Sequence, residues 1–388
     1  MNFDLPEEVE LLRQNARRFA EEVILPKQGE DEKHHTFRPE WVRQMGELGF
    51  FGTVIPEQYG GVGMEHGFLA AVVVSMELAR VSASWSLPMN MQMLGPALTI
   101  LRFGNEEQKE TYLPKLVSGE WLGCFAMTEP NTGSDVASMK THADKQPDGS
   151  YLVNGQKTWI SNAHVADCGL LYAYTNRETQ PKHRGMSAFI VEPKVFPGVQ
   201  SVPIEEKFGL FCSPTGELLF EDAKVPAKAL LGEEGMGFKI CMSQLDGTRL
   251  SCSARAVGVG QACLEASVKY ANERKQFGKP IGDFQMIQSQ IAQMAVEHEA
   301  ARLLVLRAAA KRDRGESATL ETSVAKYFAA EAAVHAANET MKIFGSYGFS
   351  NEYSAGRLLR DAKSYQIVEG TSNVQKMIIS GFALGRRS

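Results

Sequence analysis

The chain has 388 residues, 44% of them hydrophobic and 22% charged, with 41 basic residues against 46 acidic ones. That balance belongs to a globular protein of two or three domains and excludes a disordered or collagen-like chain. A net charge of −5 with no basic block leaves no electrostatic footprint for nucleic acid.

Residues 1–121 read as a helical domain. Leu11, Leu12 and Phe19 make one apolar face, and Leu69, Val72, Val73, Met76 and Ala79 make another. Their spacing of three and four fits the helical period. Pro56, Gly60, Gly61 and Gly63 break the pattern into a loop. The opening stretch is acidic and amphipathic, unlike a secretory signal, and no run approaches the roughly 18 apolar residues of a membrane span. A cytoplasmic protein without a membrane span is expected.

Residues 122–231 change texture. Short apolar or alternating runs at Leu122–Met127, Tyr151–Val153, Cys168–Tyr174, Ser187–Val191 and Leu218–Phe220 are separated by the turn pairs Asp148-Gly149, Asn154-Gly155 and Pro197-Gly198. They predict an antiparallel β domain. Residues 232–388 are helical again. Ile287, Ile291, Met294, His298, Ala301 and Val305 keep helical spacing over several turns. Long helices of this kind pack as a four-helix bundle. Helices, strands, helices in that order make an α+β fold. No GxGxxG follows a strand and no GxxxxGK[ST] occurs, so a nucleotide cofactor would need other means of binding. The six cysteines form no CxxC and no zinc-ligand spacing, so reduced thiols and no metal are expected.

Four stretches offer chemistry. Phe125 to Asp135 (FAMTEPNTGSD) leaves a strand, supplies hydroxyls at Thr128 and Ser134, and lets main-chain amides approach a ligand at Gly133. Taken alone it is equally a β-turn. Lys157 to Asn162 (KTWISN) carries Trp159, a flat ring that could also be a core aromatic. Arg274 to Gly278 (RKQFG) places a guanidinium suited to phosphate at a helix end, where it could equally complement the helix dipole. Tyr365 to Gln375 (YQIVEGTSNVQ) sets Glu369 in a turn before a helix, with Ser372 and Gln375 in capping-box spacing. A carboxylate there could serve the dipole instead of chemistry.

Together and in this order the four stretches closely resemble the acyl-CoA dehydrogenase family of flavoenzymes, over essentially the whole chain. The resemblance implies FAD as cofactor, an acyl-CoA substrate, an electron-transferring flavoprotein as acceptor, and a homotetramer. It implies that Glu369 is the general base, removing the α-proton of the thioester. It assigns FAD contacts to Phe125, Met127, Thr128, Gly133, Ser134, Trp159, Ile160 and Ser161. It adds Arg274 and Gln285, reaching a neighbouring subunit's FAD, and further cofactor contacts at Phe277, Lys342, Gly345, Ser346, Thr371 and Asn373. Relatives usually carry Thr where Ser161 stands and Gln where Lys342 stands. Substrate contacts fall on Ser134, Asp246, Arg249, Gly370 and Ser86. An acyl-CoA oxidase shares fold and base but usually runs longer, and a non-catalytic flavin-bound module would be expected to lack Glu369.

Within the family the texture is nearest the bacterial non-decarboxylating glutaryl-CoA dehydrogenases and their relatives that handle alicyclic acids. Val368 fits, since decarboxylating relatives have Tyr before the base. The glutaryl branch pairs the distal carboxylate with an arginine where this chain has Ser86. Because a buried carboxylate needs a cation, the expected acyl group is uncharged, for example an alicyclic one such as cyclohexane-carboxyl. Trp85, Pro88, Met89 and Met93 would wall its pocket, although Met and Trp at such spacing also suit plain core.

Overall fold

A computed structural model describes residues 4–386. Its first part is helical: α1 (Glu7–Phe19), α2 (Leu25–His34), α3 (Pro39–Glu47), α4 (Gly67–Val81), α5 (Leu98–Phe103) and α6 (Glu106–Val117). Helix α4 is apolar on nearly every side and is correspondingly central, packed on α1 at one side and on the C-terminal helices at the other. In α1 Phe19 is buried as the spacing predicts, but Leu11 points to solvent. Arg13 explains the orientation: it clamps Glu10 and Glu77, each at 2.7 Å, and so turns the helix's charged side toward α4.

Between α4 and α5 the chain runs through Met89–Ala97, a π-helical segment buried along its whole length. Gln92 anchors it. Its amide donates to the Leu116 and Trp121 carbonyls and its carbonyl accepts from Gly123. The segment is thereby pinned to the first strand of the sheet.

The sheet holds β1 (Gly123–Ala126), β2 (His142–Lys145), β3 (Tyr151–Ser161), β4 (Cys168–Tyr174), β5 (Met186–Val191), β6 (Val199–Pro203), β7 (Thr215–Val225) and β8 (Leu230–Leu231). Its order is β6-β7-β3-β2-β4-β5-β8, with β1 on β4. Most pairs are antiparallel, as the turn pairs require, while β1 and β2 run parallel to β4. The β3–β7 register slips between Lys157 and Ile160, a bulge that re-aims the residues inside it.

The C-terminal part contains α7 (Gly237–Glu273), the small hairpin β9 (Lys275–Gln276) and β10 (Lys279–Pro280), α8 (Gln285–Asp313), α9 (Thr319–Phe344), α10 (Ser354–Tyr365) and α11 (Ser372–Ala383). Buried alanines at 301, 308, 309, 325, 329, 330, 333, 336 and 337 let α7, α8 and α9 approach closely. Helix α7 is the structural spine. It contacts α4, the π-helical segment, β5, α8, α9 and α10.

Candidate active site

Glu369 lies in the turn between α10 and α11 with φ at +58°, followed by Gly370 at +86°. A left-handed glutamate is uncommon and marks a main chain held by its surroundings. What holds it is visible. Arg249 Nε and Gln375 Nε2 donate to the Glu369 carbonyl at 3.1 and 3.4 Å, and Lys326 Nζ donates to the Gly370 carbonyl at 2.6 Å. At φ +86° any other residue at Gly370 would be strained, which is why glycine stands there. Arg249 is itself set by Asp246 at 3.4 Å, which accepts from Thr319. Asp246 and Arg249 therefore act on the Glu369 backbone, not on its carboxylate.

The carboxylate reaches across elements. Asn90 Nδ2 of the π-helical segment donates to Glu369 Oε1 at 3.0 Å, and Thr248 Oγ1 of α7 donates to Oε2 at 2.5 Å. It does not turn back to the α11 N-terminus. That helix is capped by Thr371, whose hydroxyl accepts from the Val374 amide. The Ser372–Gln375 capping box is not formed. Ser372 donates instead to Glu331 at 2.6 Å, a charged and stronger acceptor, and Gln375 is drawn to the Glu369–Gly370 carbonyls. The Glu369 amide makes no hydrogen bond among the described residues, so a donor stands free beside the carboxylate.

A second group surrounds the exit of β1. Phe125 packs against Gly95 of the π-helical segment, and Met127 Sδ lies 3.5 Å from Cys241 Sγ of α7. The Thr128 carbonyl accepts from the Thr158 amide, tying this loop to β3. Below them, Glu129 and Lys157 form a buried ion pair at 2.9 Å. Burial pushes the Glu129 carboxyl up, but Lys157, the Thr141 hydroxyl and the Lys140 amide outweigh it and hold the carboxyl below its usual range. Burial lowers the Lys157 amine. The outer part of the loop, with Gly133 and Ser134, is open to solvent. Trp159 sits in the β3 bulge with φ at +59° and is 60% exposed, which removes the core-aromatic alternative. Its neighbour Ile160 is buried and Ser161 half-buried.

A third group lies elsewhere. Arg274 and Phe277 on the β9–β10 hairpin, Gln285 at the start of α8, and Lys342, Gly345 and Ser346 at the end of α9 share one end of the bundle. Arg274 stacks over Tyr347 at 5.5 Å and makes no ion pair among the described residues. Phe277 is 92% exposed. Lys342 is bound to Glu339 at 2.6 Å. Arg249 and Arg274 lie 25 residues apart on the α7 axis, roughly 37 Å at the helical rise. Asn373 lies exposed on the first turn of α11, near Thr371. Ser86 is fully buried and donates to the Ala83 carbonyl.

Comparison with known proteins decides the family. The acyl-CoA dehydrogenase N-terminal, middle and C-terminal domain families match residues 6–120, 124–223 and 235–384. The chain is 50% identical to a glutaryl-CoA dehydrogenase of Desulfococcus multivorans, covering 100% of this chain and 99% of that one. The chain belongs to the acyl-CoA dehydrogenase family. Its fold superposes on a solved glutaryl-CoA dehydrogenase in complex with glutaryl-CoA at a TM-score of 0.96, with 50% identity and coverage of 100% and 98%. It superposes equally on the butyryl-CoA dehydrogenase of Megasphaera elsdenii, at 0.96 with 39% identity and coverage of 99% and 100%. Acyl-CoA dehydrogenases are enzymes acting on CH–CH groups, use FAD, and are typically tetramers. The residues present fit FAD: an exposed flat indole beside a half-buried loop gives a flavin ring a surface, and an unpaired arginine gives a phosphate a partner. No helix among the described residues is long and apolar enough to cross a membrane.

The sequence reading left Asn90, Thr248 and the Glu129–Lys157 pair without roles. Asn90 lay inside the segment read as pocket wall, and Thr248 lay inside the Asp246–Arg249 match. An asparagine in an otherwise apolar run was the one available signal.

Proposed function

We propose that this acyl-CoA dehydrogenase removes the α-proton of a bound acyl-CoA with Glu369 and yields the 2-enoyl-CoA. The observation that carries the reading is the Glu369 carboxylate, held at both oxygens by Asn90 and Thr248 beside its own free amide. The amide is placed to donate to the thioester carbonyl, stabilising the charge that develops there as the α-proton leaves. Asn90 and Thr248 keep the carboxylate in one rotamer, so no reorganisation is needed at the moment of transfer. Bound FAD supplies the oxidant for the β-carbon. Met127, Thr128, Ile160, Ser161 and Trp159 would hold its ring, with Phe125, Gly133, Ser134, Thr371 and Asn373 around it. Arg274, Phe277, Gln285, Lys342, Gly345 and Ser346 of a neighbouring chain would hold its far end. The two electrons then leave to an electron-transferring flavoprotein.

The test is anaerobic: the purified flavoprotein is mixed with acyl-CoAs and its flavin absorbance followed. Bleaching by at least one is expected. Glu369→Gln should keep its flavin and lose about 10²–10⁴-fold in rate. A variant that bleaches at the wild-type rate would refute the assignment. The uncharged acyl group expected from the sequence rests on Ser86, which carries no charge. Another position bears on it.

A further inference from the structure

Arg255 is 1% exposed, among the largest fully buried side chains of the described residues, and forms no ion pair among them. Its Nε is a buried donor without a partner. The groups beside it are the Cys252 thiol and the ring of Tyr365, whose centroid lies 5.7 Å from the guanidinium carbon. The nearby acid, Asp361, is engaged by Arg357 at 3.8 Å and by the Leu210 amide at 2.8 Å. An arginine cannot shed its proton to escape such a site. A buried cation left without an anion is costly, and a fold retains it where an anion arrives.

The position says which anion. Thr248 and Arg255 are seven residues apart on α7, which puts them on the same face and about 10 Å apart along the axis. Thr248 holds the base. Helical side chains lean toward the N-terminus, so the guanidinium reaches back toward Glu369. Two more unpartnered buried hydroxyls share its surroundings. Ser251 Oγ lies one turn before it on the same face, and Tyr365 Oη lies under it, next to Ser86. The arginine therefore comes from α7 to the neighbourhood of Ser86, the position where the glutaryl branch carries its cation.

Resting on the reading that Glu369 works on an acyl-CoA, we propose that Arg255 is the specificity-determining residue of the acyl pocket. It receives a terminal carboxylate, so the substrate is a short dicarboxylic acyl-CoA. From the α-carbon, three carbon–carbon bonds of about 1.5 Å each carry a five-carbon diacid's second carboxylate toward Arg255. Ser251 and Tyr365 complete its hydrogen bonds. This replaces the uncharged acyl group expected from the sequence.

The holoenzyme is assayed with glutaryl-CoA and butyryl-CoA. The wild type should prefer glutaryl-CoA at least tenfold in kcat/KM. Arg255→Gln should lose about 100-fold or more on glutaryl-CoA, mostly through KM, and at least tenfold less than that on butyryl-CoA. Arg255→Lys should recover part of the loss. A wild type faster on butyryl-CoA, or an Arg255→Gln that loses both substrates equally while folded, overturns the proposal and leaves the dehydrogenase reading standing. If Arg255→Gln does not fold, the wild-type ratio and Arg255→Lys decide. A holoenzyme bleached by neither substrate nor any other acyl-CoA overturns both readings.

Discussion

Glu369 shows how one side chain is made specific by residues far from it in sequence. Its two carboxylate donors are 279 and 121 residues away, one on the π-helical segment and one on α7. Each neutral donor to a charged acceptor contributes about 1.5–3 kcal/mol when made, and holding orientation is part of that. Thr248→Val keeps the shape and removes the hydroxyl. We expect kcat to fall about 10- to 100-fold with KM within about threefold, and Thr248→Ser to restore most of it. A fall confined to KM would show that Thr248 serves binding instead. Glu369 as the proposed base is legible in the sequence, because its neighbours Gly370 to Gln375 form a motif that is local. Asn90, Thr248 and Arg255 are not. Their meaning lies in what faces them, and nothing in their own segments states it.

Among elements, periodicity located the long helices and the strands, since burial on one face leaves a spacing in the chain. It said nothing of partners, so the parallel pairing of β1 with β4 and the bulge that exposes Trp159 had no local signature. The same holds for the link between α10 and the sheet-side loop at Leu210. There Asp361 accepts from the Leu210 amide at 2.8 Å, and burial, opposed by Arg357, pushes its carboxyl up to about 6. A carboxyl raised in the folded state binds its proton more tightly there than in the unfolded chain. Its contribution is therefore greatest below about pH 4 and is lost as pH rises through about 6. Asp361→Asn keeps the acceptor and removes the titration. We expect the stability of the wild type minus that of Asp361→Asn to fall by on the order of 3 kcal/mol between pH 4 and pH 7. Thermal unfolding of both proteins across that range measures it, and a flat difference would show Asp361 ionised throughout.

At the scale of the molecule, the decisive feature is the length of α7. It carries the base-holding residues near one end and ends in Arg274, roughly 37 Å away. Alongside Arg274 stand Phe277 and Phe349, both more than nine-tenths exposed, and Met286 on the first turn of α8 is also exposed. A monomer would leave these apolar groups in water, whereas a symmetric assembly would cover them and, on the proposed reading, carry Arg274 to another chain's flavin. Composite sites can be complemented. Arg274→Ala alone should purify with little flavin and little activity, and Glu369→Gln alone should be inactive with full flavin. Co-expressed, a chain lacking Arg274 keeps its own Glu369 and receives Arg274 from its Glu369→Gln neighbour. Random pairing across a two-fold interface makes half of the pairs mixed, each with one intact site, so activity should return to roughly a quarter of wild type. Within a single chain the two defects could never correct one another. Activity that stays at the sum of the separate variants would place both ends of the cofactor in one subunit, against the 25-residue separation on the helix.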